Sequence, residues 1–454
     1  MKSIKGLSWK LRLALAGNSL KYLGKLEQWQ WLDREQTTIL QNTRLARLLS
    51  HSFQHVPYYR KALARAKAVN ENGVANLEHF DRIPLLDKHL IRANFESLKS
   101  DDLNRRELRE SLSGGSTGEP IRLIHDRDCS DWAKAIKMLD DLWSGYTIGE
   151  RRVVLWGSER DLLVGQETIK VRASRWLRNE LWLNAFRMTS EQMRKYVEQM
   201  NSFRPVQITA YGESIYELSR FVERENLHVW RPRCILTSGG ALYKHMRTKI
   251  EKVFRAPVFD RYGSREVGDV VCECNCHEGL HVSAPTHYVE ILRPDGTPAK
   301  PGELGEIVVT VLTNYAMPLI RYRIGDIGSW ANGACSCGRG APLIAEVAGR
   351  STDIFTGREQ QRVDGRVFNT FLWDRSFINR YQVIQEDYDW IRILIESCTP
   401  VRNPQEAYAH DLSQITENIG AVMGADCRVT FDFVQEMPQT PSGKHRYTLS
   451  KLTI

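Results

Sequence analysis

Several common features are missing from this sequence, and each absence excludes a class of protein. No apolar segment approaches the roughly 20 residues that a membrane-spanning helix needs. No signal-peptide core with a cleavage site stands at the beginning, which favours the cytoplasm. No large charge excess exists, because the formal net charge is only +8 over 454 residues. That excess permits an anionic substrate, but we expect no nucleic-acid partner.

Acidic residues are also missing from the first part of the chain. None precedes Glu27, whereas Lys, Arg, Leu and Trp are frequent there. A basic, apolar helix of this kind either packs on the domain behind it or lies on an anionic membrane surface. The sequence is compatible with both, so peripheral membrane contact is one expected option.

The apolar pattern predicts an α/β fold of two or three domains. Short buried strands ending in Gly or Ser are predicted in "RRVVLWGS" (151–158), "PVQITAYG" (205–212) and "RCILTSGG" (233–240). Helical segments separate them, which indicates parallel strands. After about residue 280, runs such as "HYVEILRPDG" and "GELGEIVVTVL" predict antiparallel strands, and a smaller α+β segment follows "GRSTDIF" (349–355).

The loop at 113–118, "SGGSTG", resembles a phosphate-binding loop without its cation. A Walker-type loop ends in Gly-Lys-Ser/Thr, and its lysine reaches the outer phosphates. This loop contains no lysine. Backbone N–H groups and small hydroxyls can nevertheless cradle phosphates. The alternative is a flexible Gly/Ser connector.

Four further stretches follow this loop in order. They are "SGGALY" (238–243), "RYGSREVGD" (261–269), "RYRIGDIG" (321–328) and "PQTPSGKHRYTLSK" (438–451). A glycine pair lets a flat ring approach the backbone, and an aspartate in a turn suits ribose hydroxyls. The five stretches together resemble the motif series of the adenylate-forming superfamily of acyl- and aryl-CoA ligases. "HSFQHVPYYRKAL", "IPLLDKHLI", "YGSREVG" and "TPSGKHR" are similar to its phenylacetate–CoA ligase branch, which includes CapK-like members.

The resemblance implies an enzyme that uses ATP and Mg²⁺ to convert a carboxylic acid into an acyl-adenylate. Lys444 would be the missing cation, supplied from a C-terminal lid at 351–454 to an adenylation domain at 1–350, with Asp353 as the hinge. Glu266 would contact Mg²⁺. The residues implied in ATP or AMP binding are Ser113, Gly114, Gly115, Ser116, Thr117, Gly118, Gly239, Gly240, Ala241, Tyr262, Gly263, Ser264, Asp326 and Arg350. Glu266 and Asp326 could instead simply cap helices or turns.

Five of the nine cysteines lie in two clusters, "CECNCHEGLH" (272–281) and "CSCGRG" (335–340). Clustered cysteines without a secretory signal indicate a metal more than disulfides. Some members of the resembled branch carry a structural zinc, and the matching ligands are Cys274, His281, Cys335 and Cys337. Cys272, Cys276 and His277 are rivals for the first cluster's contribution. Unligated surface cysteines and a zinc-ribbon nucleic-acid module are the other options, and no dense basic and aromatic pattern supports the latter.

The acyl acceptor is less constrained than the adenylation step. The glycine-rich stretch associated with thioester formation is replaced by "TGREQQRVDGRVFNTFLWDRSFINRYQVIQ" after the hinge. CoA is the leading acceptor, and a CapK-like transfer to an amine or hydroxyl in surface-polysaccharide synthesis is the alternative. A zinc-stabilised binding protein on a degenerate ligase scaffold is the non-enzyme hypothesis. A homodimer is compatible with all three.

Overall fold

The structure is a computed structural model that describes residues 17–112, 121–157, 169–185, 188–240, 242–350, 354–358, 362–372, 375–398, 401–438 and 447–452. The chain forms two compact units. The larger unit extends to Val347 without Gly325–Ile327, and the smaller unit contains that short piece and the chain from Ala348 onward. The predicted α/β class, with a large N-terminal and a smaller C-terminal domain, is confirmed. The functional names given to the domains stay predictions.

The described helices of the larger unit precede or separate its strands. They are α1 (Ser19–Trp29), α2 (Arg34–His55), α3 (Pro57–Ala66), α4 (Lys88–Ala93), α5 (Arg127–Trp143), α6 (Ile169–Arg178), α7 (Ser190–Phe203), α8 (Gly212–Arg224) and α9 (Lys244–Phe254). Single 3₁₀ turns lie at Leu77–Arg82 and Leu103–Arg105.

The strands of this unit follow the same chain order. They are β1 (Leu108–Leu112), β2 (Arg122–Asp126), β3 (Arg152–Trp156), β4 (Glu180–Asn184), β5 (Gln207–Tyr211), β6 (Cys234–Ser238), β7 (Val258–Ser264), β8 (Gly268–Glu273), β9 (Leu280–Val282), β10 (His287–Leu292), β11 (Gly305–Val311), β12 (Tyr322–Trp330) and β13 (Leu343–Arg350). The segments predicted as strands at 151–158, 205–212 and 233–240 therefore contain β3, β5 and β6.

Local sequence explains where the first helices begin and end. Asp33 and Gln36 form a capping box at the start of α2, in which the Asp33 side chain accepts the Gln36 N–H. This arrangement satisfies two N–H groups that a helix otherwise leaves without partners. The helix ends at His55, and Pro57 opens α3 at its first position, where the missing proline N–H costs no helical hydrogen bond.

Eleven strands form one mixed sheet with the order β10-β11-β12-β13-β9-β8-β7-β6-β5-β3-β4. The block β4-β3-β5-β6-β7 is parallel. From β3 the chain passes to β4 on one side and then returns to β5 on the other. The direction of winding therefore reverses between β3 and β5, and such a switch point leaves a crevice at the carboxyl ends of the strands.

The rest of the sheet is antiparallel where its pairings are recorded, namely β7 with β8, β8 with β9, β9 with β13, and β10 with β11. A separate pair, β1 and β2, is also antiparallel. The prediction of antiparallel strands beyond residue 280 is confirmed for β10 and β11.

The main core fills the space between the sheet and helices α2 and α3. Leu45, Leu48 and Leu49 from α2 pack there with Tyr59 and Tyr322, all nearly inaccessible to solvent. A second cluster joins α1 to α5, where Tyr22 stacks on Trp132 at 4.0 Å between ring centroids. These contacts hold the N-terminal helices against the α/β core.

The smaller unit contains β14 (Ile354–Thr356), β15 (Arg362–Asp364), α10 (Arg366–Leu372), β16 (Ile378–Asp387), β17 (Trp390–Ser397), α11 (Pro404–Ala407), α12 (Ala409–Met423), β18 (Arg428–Val434) and β19 (Thr448–Ser450). Its four-stranded sheet has the order β18-β17-β16-β19. The buried Gln385 amide bonds the Thr356 backbone and accepts from the Ser450 hydroxyl. Gln385 thereby ties both ends of the unit to β16.

Among the described residues, none of the helices has the length and apolar character required to traverse a lipid bilayer.

The turn between β7 and β8 leaves no space for a side chain at Gly263. A Cβ there would lie 2.2 Å from the Gly268 carbonyl oxygen and 2.8 Å from the Asp269 Cα. We expect Gly263→Ala to lower the free energy of unfolding by about 1–3 kcal/mol, because backbone atoms must move to relieve the overlap. Thermal unfolding should show this as a lower midpoint.

Gly333→Ala is the matched control, since no atom lies within 4 Å of a Cβ at that position. Its unfolding midpoint should equal that of the wild type. Equal midpoints for Gly263→Ala and Gly333→Ala would contradict the close approach of the β7–β8 turn.

Candidate functional site

The five parallel strands end side by side at one edge of the sheet. The register places Tyr211 opposite Ser238, and Ser238 opposite Arg261. The stretch Ser238–Gly240 therefore lies between the end of β5 and the end of β7. Two of the predicted nucleotide-binding stretches, 238–243 and 261–269, are thus brought together by strand pairing.

Glycine is required in the first of these stretches by backbone conformation. Gly239 has φ +80°, a region that residues with a Cβ seldom adopt. A Cβ on the exposed Gly240 would lie 3.7 Å from Glu213 Oε1 at the start of α8. The pair therefore presents bare backbone beside a carboxylate at the carboxyl edge.

The second stretch turns sharply and presents Glu266. The Ser264 hydroxyl oxygen accepts hydrogen bonds from the N–H groups of Glu266 and Val267, at 3.2 and 3.4 Å. This side-chain-to-backbone turn sets the direction of the loop. The Glu266 side chain is only 10% exposed, and the Lys88 Nζ lies 3.8 Å from its Oε1. A largely buried carboxylate and an ammonium thus face each other directly after β7.

Sequence reasoning missed Lys88 as a site residue. The signal was present in "IPLLDKHLI", a segment noted only for its family resemblance. In the fold, Leu86 pairs with Tyr322 on β12 through a parallel bridge, and Asp87 caps α4 by accepting the Leu90 N–H. Those two contacts place Lys88, 178 positions earlier in the chain, beside Glu266.

A buried charge cluster lies at the base of the same loop. The Arg261 guanidinium is 3.9 Å from Asp140 Oδ2 and 3.7 Å from Asp269 Oδ2. Burial raises the pKa of Asp140 well above its usual value. Burial acts the same way on Asp269, but Arg261 and then Lys137 outweigh it, so that the pKa of Asp269 is lowered.

This cluster joins helix α5 to both strands that carry the Glu266 loop. Arg261 stands on β7, Asp269 on β8 and Asp140 on α5. Removing Arg261 or Asp269 would leave an uncompensated buried charge, which is strongly destabilising. The cluster therefore holds the two ends of the loop, and no sequence motif indicated Asp140.

The remaining predicted nucleotide residues are distributed as follows. Tyr262 is half-buried and packs against the main core, and Gly263 forms the tight turn. Asp326 is half-buried on β12, in the short piece that belongs to the smaller unit. Arg350 ends β13, and its side chain lies outside the described part. The predicted loop 113–118 and the predicted residues Ala241, Asp353 and Lys444 lie outside the described residues.

The two cysteine clusters converge into one group. One donor atom from each of Cys274, His281, Cys335 and Cys337 lies within 4.8 Å of every other. The Cys274 and Cys335 sulfurs are 3.6 Å apart, and the Cys337 sulfur is 3.4 Å from His281 Nε2. With Zn–S bonds of about 2.3 Å, a tetrahedral site has an edge of about 3.8 Å. The donor set and spacing therefore fit a four-coordinate metal.

The surroundings of this group act differently on its members. Burial raises the pKa of the Cys274 and Cys335 thiols. Burial acts the same way on Cys337, but hydrogen bonds from Arg339 outweigh it, so that the pKa of Cys337 is lowered. Backbone N–H groups of Cys276 and Arg339 donate to the Cys274 and Cys337 sulfurs, both at 3.5 Å. Such bonds stabilise thiolates. Burial lowers the pKa of His281 to about 4, which leaves a neutral imidazole, the form that binds metals.

The rival ligands have other partners. The His277 Nδ1 lies 3.3 Å from a Glu273 carboxylate oxygen, and the buried Cys272 sulfur donates to the Glu273 carbonyl. Cys276 is half-buried and packs beside the four-residue group without joining it. Among the described residues, the geometry thus brings Cys274 rather than Cys272 or Cys276 to the other three.

The metal-ligand group also contacts the N-terminal helices. Trp143 packs edge-on against His281 at 5.6 Å between ring centroids, and its indole N–H donates to Gln30. The Arg339 guanidinium lies over both Trp31 and Trp143, at 4.5 and 4.7 Å from the ring centroids. The group therefore links three distant parts of the larger unit.

Known proteins resemble this chain in sequence over most of its length. A family described as the CapK C-terminal domain matches residues 355–451. Protein CapK of Staphylococcus aureus is 24% identical over 420 residues, covering 91% of this chain and 89% of the relative. A phenylacetate-coenzyme A ligase of Thermus thermophilus is 25% identical over 375 residues, covering 78% and 79% of the two chains.

A solved structure of 2-hydroxyisobutyryl-CoA ligase, in the postadenylation state with 2-HIB-AMP, has a similar fold. The TM-score is 0.69 at 17% identity, over 92% of this chain and 90% of the other. At this identity the likeness concerns the fold alone. The chain is a homologue of CapK and the phenylacetate–CoA ligases, with a CapK-type C-terminal domain and the fold of the adenylate-forming acyl-CoA ligases.

Proposed function

We propose that this ligase-type enzyme activates a carboxylic acid with ATP, releases pyrophosphate and passes the acyl group to CoA. The observation that carries the proposal is the juxtaposition of Ser238–Gly240 with the Tyr262–Glu266 turn at the carboxyl edge of the parallel strands. Ligands of open α/β sheets bind at this edge. The CoA ligases among its homologues support the same class of reaction.

ATP would be held by groups of complementary chemistry. The bare backbone at Gly239 and Gly240 would accept the adenine plane, with Tyr262 as its stacking partner. Asp326 would accept hydrogen bonds from the ribose hydroxyls. The 113–118 loop would donate N–H groups to the β- and γ-phosphates, and Arg350 would add a further ribose or phosphate contact.

Glu266 would bind the Mg²⁺ that neutralises phosphate charge, and Lys88 would lie beside Glu266. A carboxylate that is 10% exposed and has an ammonium at 3.8 Å remains available to a hard cation, because carboxylate oxygens are the protein ligands Mg²⁺ favours. Magnesium would supply neutralisation of phosphate charge. Lys88 would stay near the Glu266 carboxylate and balance it when the ion is absent.

In the first half-reaction, a carboxylate oxygen of the acid attacks the α-phosphorus, and the bond to pyrophosphate breaks. Two anions meet in this step, so a cation aimed at the developing charge lowers the barrier. Lys444, from the C-terminal domain, would serve as that cation. Asp353 would be the hinge about which the domain moves before the second half-reaction.

The acid would bind near the switch point between β3 and β5. Trp156 at the end of β3 stacks on Tyr211 at the end of β5, with 3.8 Å between ring centroids. The Tyr211 hydroxyl also donates to the Gly157 carbonyl. These aromatic faces form an apolar wall, and Glu213 or Arg160 would meet any polar group of the substrate.

One observation favours the alternative acceptor. The C-terminal match, at residues 355–451, is to the CapK family, and the adenylation and transfer steps of such ligases use this domain. Transfer to an amine or hydroxyl of a polysaccharide precursor is therefore the second candidate function.

The four-residue metal group would hold a structural zinc. Three thiolates and one imidazole fill a tetrahedral shell, so no position stays open for a substrate. The ion would supply folding energy that ties β8 and β9 to the 335–340 turn. It would take no part in the acyl transfer.

The adenylation step is tested by ATP–pyrophosphate exchange with a panel of carboxylic acids. We expect exchange that depends on Mg²⁺ and on at least one acid. Product analysis with CoA, and separately with amine or hydroxyl acceptors, then distinguishes the two transfer reactions. ATP binding by calorimetry without exchange for any acid would favour a degenerate binding protein.

The supply of the missing cation is tested by Lys444→Ala. Exchange should fall at least about 100-fold, as expected on losing a charge directed at the transition state. ATP binding and transfer from a pre-made acyl-adenylate should be retained. Lys451→Ala is the control, because Lys451 pairs with Glu386 at the surface. Full exchange activity in Lys444→Ala would rule out the mechanism.

The structural zinc is tested by metal analysis of protein purified without chelators. About one zinc per chain is expected. Cys335→Ser should lower both the metal content and the unfolding midpoint, because metal binding is coupled to folding. Cys276→Ser, a change outside the four-residue group, should alter neither. An equal loss of metal in the two variants would overturn the assignment.

A further inference from the structure

A basic groove, distinct from the residues discussed so far, lies on the N-terminal side of the larger unit. Helix α3, the residue after it and the segment around Pro84 enclose a cavity of about 580 Å³. This volume lies in the range of small-molecule sites. Four cationic side chains line it, and we call it the basic groove: Lys61, Arg65, Lys67 and Arg82.

The charges of the groove are of one sign. None of its lining residues is acidic. Within the described part of the chain, none of the four cationic side chains forms an ion pair. By contrast, the neighbouring Arg60 donates to two backbone carbonyls and lies 3.9 Å from Asp101. The groove residues therefore keep their charges available to a ligand.

Their positions in the helix increase the repulsion. Lys61 and Arg65 stand four residues apart on α3, and like charges at that spacing destabilise a helix. Arg65 and Lys67 could be explained by favourable interaction of cations with a helix C-terminus. The C-terminus of α3 does not account for Arg82, which ends a separate 3₁₀ segment, Leu77–Arg82. Two separate elements thus direct positive charge into one cavity.

The rest of the lining suits a compact ligand. Ala62 and Ala66 leave space between the cationic side chains, and the half-buried Tyr58 contributes an aromatic surface. Burial, and then the negative charge of Asp87, raise the pKa of Tyr58, and the Asp87 carboxylate already caps α4. The cavity does not present a flat apolar surface that could insert into a lipid bilayer, because charged side chains line it.

We infer that the basic groove binds a small solute bearing two or more adjacent phosphate charges, such as a diphosphate. Adjacent phosphates would bridge cations from both elements and remove the repulsion between Lys61 and Arg65. This site goes beyond the proposed function, since none of its lining residues belongs to the carboxyl-edge site. A membrane surface is the competing occupant and forms an outcome of the test.

Inorganic pyrophosphate is the probe, used on the full chain by calorimetry and thermal unfolding. Two classes of site are expected for the wild type, one at the ATP site and one in the groove. In Lys61→Ala/Arg65→Ala, the affinity of the groove site for pyrophosphate should fall at least 10-fold. The increase in unfolding midpoint that pyrophosphate causes by binding to the groove should also be lost. ATP–pyrophosphate exchange should stay within twofold of wild type.

The control is Arg34→Ala/Arg231→Ala, which removes the same charge from exposed positions outside the groove. It should bind pyrophosphate like the wild type. A second variant, Lys67→Ala/Arg82→Ala, repeats the test if the first unfolds. Equal binding by groove and control variants would overturn the inference. The inference would also be overturned if the groove variants lost binding to phosphatidylglycerol vesicles while their pyrophosphate binding stayed unchanged. That result would indicate a membrane surface.

If the enzyme showed no exchange activity, the proposed function would fail while the groove class of pyrophosphate sites could still be counted. The two failures are therefore separable by the same measurements.

Discussion

Parallel strand pairing is the constraint on which the candidate site depends. In a parallel sheet every carboxyl end faces the same edge, and the loops that follow must meet there. The register of β5, β6 and β7 aligns Tyr211, Ser238 and Arg261. Residues 27 positions apart (Tyr211 and Ser238) and 23 positions apart (Ser238 and Arg261) thus become neighbours without any long loop reaching across the molecule. The reversal between β3 and β5 then leaves room for a ligand beside them.

Buried charge gives this edge its rigidity. Arg261 is enclosed by Asp140 and Asp269, and each partner alone would be costly to bury. The cluster fastens both ends of the turn that carries Glu266, while the Ser264 hydroxyl shapes its middle. Glu266 can therefore be held in a nearly buried position. Its carboxylate attracts a cation more strongly there than at the surface, because the surrounding dielectric constant is lower.

The metal-ligand group fixes the relative positions of chain segments in another part of the larger unit. Its members come from β9 and from two short loops, which have few apolar residues of their own to pack. Trp143 and Arg339 extend the group to the N-terminal helices by ring and cation contacts. The basic groove is lined by α3 and the segment around Pro84, apart from the residues that the metal-ligand group contacts.

The sequence by itself determined the α/β class, the strands β3, β5 and β6, and the two Cys/His clusters from which the metal group is drawn, because apolar periodicity and Cys/His clustering are local properties. The tertiary structure alone decided the rest. Lys88 reaches Glu266 only through the pairing of Leu86 with β12, and Asp140 meets Arg261 only because α5 packs on the sheet. Cys274 rather than Cys272 joins the metal group because β8 ends at Glu273: Cys272 packs in a different cluster within the strand, and Cys274 follows the strand. Each of these outcomes depends on contacts between residues far apart in the chain, which no local pattern encodes.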